Sequence, residues 1–181
     1  RRRRGPGPDR MGRMVRLDWF LQTWKAIRAD AAQAVEDMPG NELDFRPRPD
    51  LMSFREIAEH ILQVGRGLTG MLLDGETDLS RPDFRQKLAR YAVQLGPDSG
   101  AAALASELRR AVEEDCRRLA EQPPAFFSEI ITKFDGARLT RLEMLEFIKE
   151  HELAHRAQLF LYLRLQGVVP PTTRRKLALK G

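Results

Sequence analysis

A chain of 181 residues, 42% hydrophobic and 31% charged, is long enough to bury one sizeable core and too evenly charged for a fibrous or membrane-spanning protein. No apolar run approaches the roughly 20 residues that cross a bilayer. The single cysteine, Cys116, excludes an intrachain disulfide and fits a reducing compartment.

The net charge of +5 belongs to the ends. Arg1 to Arg16 holds seven arginines against one aspartate, and Arg174, Arg175, Lys176 and Lys180 crowd the other end, so the body between them is net acidic. A folded nucleic-acid binder carries a basic face. This body lacks one, so no specific nucleic-acid binding is expected, and the arginine run would contact nucleic acid only through phosphate charge. RRRRGPGPDR ahead of Met11 reads as a disordered or vector-derived tail, with Met11 or Met14 as a natural start. No apolar signal region follows it, so a cytoplasmic location is expected. The organisation read from composition is a basic tail over 1–16, one domain over 17–171 and a second basic tail over 172–181.

The first helix is predicted from Leu17 to Met38, with Leu17, Phe20, Leu21, Trp24, Ile27, Ala31 and Val35 on one stripe, and Pro39-Gly40 ends it. NELDFRPRPDLM then runs as an ordered connection, its prolines favouring extended backbone and Phe45 serving as anchor. Ser53 and Glu56 form a capping box that opens a second helix. Ile57, His60, Ile61, Val64, Leu68 and Leu72 follow at helical spacing up to Asp74-Gly75. Gly65, Gly67 and Gly70 weaken this helix and make room for a close neighbour or a ligand.

A crossover with a short helix over Asp83 to Gln94 follows, started by Pro82. Pro97-Asp98-Ser99 introduces a third long helix over Gly100 to Gln122, with Leu104, Leu108, Val112, Cys116 and Leu119 on its stripe. Phe126 to Arg138 has strand-like composition around an Asp135-Gly136 turn. Thr140 and Glu143 make another capping box and open the last helix, which Gly167 stops and Pro170-Pro171 keep from resuming. Four amphipathic helices predict an all-α four-helix bundle. Two long connections permit crossovers in place of simple up-down-up-down winding.

On the last helix Leu145, Ile148, His151, His155, Leu159 and Tyr162 share one face. His151 and His155, four apart, have Cβ atoms about 5–6 Å from each other. His60 lies on the apolar face of the second helix, so all three histidines of the chain point at the core. Buried imidazoles need partners, and one ion serves all three. Two histidines from one helix and a third from a facing helix give three neutral nitrogen ligands and leave a position open. The candidate metal ligands are therefore His60, His151 and His155.

His151-Glu152-Leu153-Ala154-His155 also fits H-E-x-x-H, the zinc-peptidase signature. No Asp, Glu or His follows His155 to complete that site, and Gln158 and Leu161 stand where the longer form needs glycine and histidine. Glu152 then either orients a ligand histidine or faces solvent. Cys116 reads as a small core residue in preference to a redox thiol.

FRPRPDLMSFREIAEHI and LTRLEMLEFIKEHELAHRAQLFLYLRLQGVVPP, taken together, resemble the DinB-like family of metal-binding four-helix bundles, over about Leu17 to Pro171. Within them His60, His151, His155, Gln158, Arg164, Gly167 and the last prolines fall where the family pattern places them. The resemblance implies up-down-down-up topology, frequent homodimers and a divalent ion, commonly zinc or nickel, on the three histidines. It further implies a small-molecule substrate. Relatives include S-transferases that use the low-molecular-weight thiols mycothiol or bacillithiol and a mycothiol-dependent maleylpyruvate isomerase. Two readings follow. One is a metal-dependent enzyme, foremost a thiol S-transferase, with metal-dependent hydrolysis as another use of the open position. The other is a non-enzymatic metal-binding protein of stress response or interaction.

Overall fold

The computed structural model describes residues 16–40, 42–96 and 99–180. The tail preceding residue 16 and the Pro97-Asp98 pair lie outside the described residues. Four long helices carry the fold: α1 Leu17–Asp37, α2 Phe54–Leu73, α4 Ala101–Ala120 and α6 Arg141–Leu165. Between and after them come α3 Phe84–Ala89, α5 Pro124–Ser128, the strands β1 Ile130–Thr132 and β2 Arg138–Thr140, and α7 Pro171–Ala178.

The two histidine-bearing helices have sharply defined ends. Ser53 Oγ accepts the Glu56 N–H at 3.2 Å and the Ser53 N–H donates to Glu56 Oε2 at 2.7 Å. Thr140 and Glu143 repeat the exchange at 3.2 and 2.6 Å. At the other ends Gly75 and Gly167 adopt φ of 85° and 74°. The N–H after each glycine reaches back to a carbonyl of the last turn, Glu76 to Met71 at 3.0 Å and Val168 to Leu163 at 2.9 Å. This is the Schellman closure, which costs an L side chain its preferred φ and glycine nothing. Ends fixed this way fix which face each helix turns inward.

Side-chain pairs give the winding. Leu21 meets Cys116 and Lys25 meets Glu113, so α1 and α4 are antiparallel. Trp24 meets Glu152 and Asp30 meets Arg156, so α1 and α6 are parallel. The Tyr162 hydroxyl donates to the Met52 carbonyl while His60 meets His151, making α2 and α6 antiparallel. Arg55 meets Ser99 and Arg66 meets Asp115, making α2 and α4 parallel. The order is up-down-down-up, as expected. Parallel α2 and α4 require a return along the bundle, and residues 74–96, with α3, supply its described part.

The connections depart from the sequence reading in four places. The crossover helix spans only Phe84–Ala89. Its expected continuation is drawn away because the Gln63 amide takes both the N–H and the carbonyl of Val93, at 2.9 and 2.8 Å. Pro124, beyond the expected end of the third long helix at Gln122, is the first residue of α5, a position where its missing N–H costs nothing. Pro171 does the same for α7, so residues read as tail form a helix tied to α1 by Arg174–Asp37 and Arg175–Asp30 ion pairs at 2.7 and 2.6 Å. Leu43, fully buried, anchors the first connection more deeply than Phe45, whose half-buried ring packs 5.9 Å from Tyr162. The strand-like stretch is a three-pair antiparallel hairpin with Gly136 at φ 85° in its turn.

The core falls into two apolar halves. One gathers Met38, Phe54, Ile57, Ile61, Leu104, Leu108, Leu159 and Tyr162, and the other Phe20, Trp24, Leu68, Leu72, Leu119, Ile131, Met144 and Ile148. Leu108 has no solvent exposure, so Leu108→Asp is expected to abolish the cooperative thermal transition by burying an unpaired carboxylate. A retained far-UV melting transition within a few degrees of the parent would contradict this packing. Among the described residues no helix is long and apolar enough to cross a membrane.

Candidate metal centre

Between the two apolar halves lies a polar layer. Arg28 and Glu152, each 1% exposed, form a two-pronged ion pair there. Arg28 Nε donates to Glu152 Oε2 at 2.9 Å and its Nη2 donates to Oε1. Trp24 Nε1 donates to the same Oε2 at 2.9 Å. Gly65 of α2 completes the fit, because a Cβ there would stand 2.5 Å from both Arg28 Nη2 and Glu152 Oε1. Beside it Asp115, also buried, pairs with Arg66. Burial pushes the Asp115 carboxyl up to about 6 against the pull of Arg66 and Arg28.

The three histidines occupy the α2–α6 side of this layer, each half-buried. His60 Nε2 lies 3.1 Å from His151 Nε2, and His155 Nε2 lies 3.0 Å from the same atom. One nitrogen from each of the three falls within 4.8 Å of the others. His155 Nδ1 pairs with Gln158 Oε1 at 2.7 Å. The amide oxygen is an acceptor only, so it places the ring proton on Nδ1 and turns the Nε2 lone pair inward. His151 Nδ1 is buried without a hydrogen-bond partner. Desolvation, and then the charge of His155, lowers the pKa of His60. The same causes, with His60 added last, bring His151 down to about 4. Both rings are held in the neutral form that ligates metals.

These nitrogens suit one cation. Ligands bound at about 2.0–2.1 Å and at angles from square to tetrahedral stand about 2.9–3.4 Å apart, and the two closest separations fall in that interval. Hydrogen bonding alone fits less well. His151 Nε2 carries either one proton or one lone pair, so it satisfies only one of its two neighbours.

A sequence profile described as the DinB superfamily matches residues 23–159, most of the chain. The chain belongs to the DinB superfamily. Among solved structures it is similar to a DinB-like protein, YjoA, from Bacillus subtilis, with TM-score 0.64, 19% identity, and coverage of 82% of this chain and 92% of that one. It is similar to YfiT from Bacillus subtilis, described as "a probable metal-dependent hydrolase with an unusual four-helix bundle topology", with TM-score 0.61, 18% identity and coverage of 93% and 94%. It is also similar to a mycothiol-dependent maleylpyruvate isomerase, with TM-score 0.58 and 12% identity, covering 80% of this chain and 61% of the isomerase. No curated protein sequence matches.

The three histidines that the sequence reading grouped in this DinB protein do lie together, and that reading missed the layer behind them. Glu152 neither orients a histidine nor faces solvent, because Arg28 and Trp24 take both of its oxygens. That arrangement also removes the general base that a peptidase reading of H-E-x-x-H requires. A signal for Arg28 was available. Trp24, Arg28, Ala31 and Val35 recur at steps of four, three and four, so Arg28 and not the half-buried Ile27 belongs to the stripe.

A groove of about 730 Å³ lies elsewhere, between α1 and α4, and is lined by Lys25, Arg110, Glu113, Glu114 and Cys116. Cys116 is 3% exposed and burial pushes its thiol up to about 12. It is expected to resist a thiol-reactive dye in the native protein and to react fully on unfolding. Rapid labelling without denaturant would contradict this placement.

Proposed function

We propose that His60, His151 and His155 bind one divalent cation, zinc or nickel, and that the protein is a metal-dependent S-transferase using a low-molecular-weight thiol. The observation that carries this reading is the convergence of three imidazole nitrogens from two helices, with separations of 3.0 and 3.1 Å at His151. Three neutral ligands leave coordination positions free. A cation held there would favour the thiolate form of a bound thiol, which is the nucleophile. The chain's own contribution is positional. Gln158 fixes the His155 tautomer, and burial keeps His60 and His151 deprotonated. With Glu152 consumed by Arg28 and Trp24, a reaction that needs only a thiolate suits the site better than one needing a general base. The dependence of one structural relative on mycothiol supports the same choice.

Hydrolysis is the second reading, favoured by the end-to-end likeness to YfiT. A homodimer belongs to the proposal as well. Leu161 and Leu165, 54% and 55% exposed on α6, offer a surface for a second copy, and sedimentation equilibrium would report it. The chemistry is tested by assaying zinc- and nickel-loaded protein with a panel of small thiols plus an electrophile, and separately with an activated ester. Metal-dependent thiol consumption supports the transferase. Thiol-independent ester cleavage supports the hydrolase, and neither reaction would leave a non-enzymatic metal-binding protein.

A further inference from the structure

Beside the histidines of α2 and α6 stands a cluster of aromatic rings. Phe147 stands one helical turn before His151 on α6, and Val64 stands one turn beyond His60 on α2. Residues four apart on a helix have Cβ atoms about 5–6 Å apart, so both flank the histidines directly. The Phe134 ring, from the hairpin turn, lies 5.8 Å from Phe147, and Phe84, from α3, lies 5.9 Å from Phe134. Leu88 of α3 seats against Gly67, where a Cβ would come within 2.5 Å of it. The wall therefore runs unbroken from α2 through α3 and the hairpin to α6.

Val64, Phe84, Leu88 and Phe147 pack against one apolar half of the core and keep the rest of their surface outside it. Phe134 is 41% exposed, and Phe84, Phe147, Leu88 and Val64 are half-buried. A contiguous, partly exposed apolar cluster marks a contact site more often than a scattered one does. It is also held in place before any ligand arrives. The Lys133 ammonium lies 4.7 Å from the Phe147 ring centre and 5.1 Å from that of Phe134, with Asp135 pairing it at 2.7 Å. The cation thus fixes two rings of the wall against one another.

We propose that this wall is a substrate subsite, and that it takes the flat aromatic or unsaturated body of a small molecule whose oxygen or sulfur donor reaches the histidines. Flat rings present faces and edges that an aromatic ligand meets by offset or edge-to-face stacking. A branched aliphatic body gains only area. The inference rests on the metal-binding reading of His60, His151 and His155.

The test uses zinc-loaded protein and two hydroxamate probes, benzohydroxamate and acetohydroxamate, which share a metal-binding group and differ in the ring. Zinc binding is measured first by calorimetry without probe. The expected result is benzohydroxamate binding about tenfold tighter than acetohydroxamate. Phe134→Ser removes an exposed ring, and Phe147→Leu keeps apolar volume without one, so both variants should fold. Each is expected to erase most of that preference while zinc and acetohydroxamate affinities stay unchanged. Equal affinities of the two probes for the parent, or a preference that survives both substitutions, would overturn the subsite alone. Failure of zinc to bind in the first measurement would overturn the metal reading and the subsite with it.

Discussion

Glu152→Ala is expected to lower the stability of the metal-free protein by about 3–5 kcal/mol, because it strands the Arg28 guanidinium where no water reaches. For a chain of this size that amounts to a fall in Tm of roughly 6–20 °C. Arg28→Ala should cost a similar amount by stranding the carboxylate. Gly65→Val should be comparably harmful for a different reason, since its first side-chain carbon would overlap both partners. The double variant Arg28→Met, Glu152→Leu is the informative control. Replacing a buried pair by apolar groups of similar volume is often neutral or stabilising, so this protein should regain much of the loss. Thermal denaturation of the four variants checks the account. A Glu152→Ala protein that melts with the parent would show that the pair is not closed to solvent.

His60→Ala, His151→Ala and His155→Ala are each expected to reduce binding of one zinc or nickel ion by orders of magnitude. The reason is geometric: the chain has three histidines in all, so no other imidazole can replace the one removed. Gln158→Ala should act more mildly, on the order of 10–100-fold, because it frees the His155 ring without removing a ligand. Glu152→Gln should leave all three imidazoles in place and change stability more than metal affinity. The metal-free protein carries a pH signature of the same site. His151 titrates near 6.5 when unfolded and at about 4 when folded. Between those values the unfolded chain holds the extra proton, so stability falls as pH drops from 6.5 toward 4. His151→Ala should flatten that part of the curve.

The histidine-bearing helices were legible because local chemistry writes their ends and periodicity writes their faces. Ser53 with Glu56, and Thr140 with Glu143, announced starts that the backbone bonds reproduce. The spacing of His151, His155 and the neighbouring leucines located the face that meets His60. Arg28 and Glu152 were not legible as a pair, because a charged residue on an apolar stripe declares a need for a partner without naming it. Their partnership spans 124 positions of chain. The short helices failed for another reason. Pro124 and Pro171 carry the same local signal whether they end one helix or begin another, and only the packing that follows decides. The aromatic wall draws on α3, the hairpin and α6, three elements whose meeting no local pattern encodes.

The central claim, that His60, His151 and His155 hold one cation at an open site, is tested most directly by X-ray absorption on zinc-loaded protein, read with elemental analysis. The expected result is one zinc per chain, three imidazole nitrogens at about 2.0–2.1 Å, and at least one further light-atom ligand that a small added thiol replaces with sulfur. Two imidazoles per zinc, or a spectrum unchanged by His60→Ala, would contradict it.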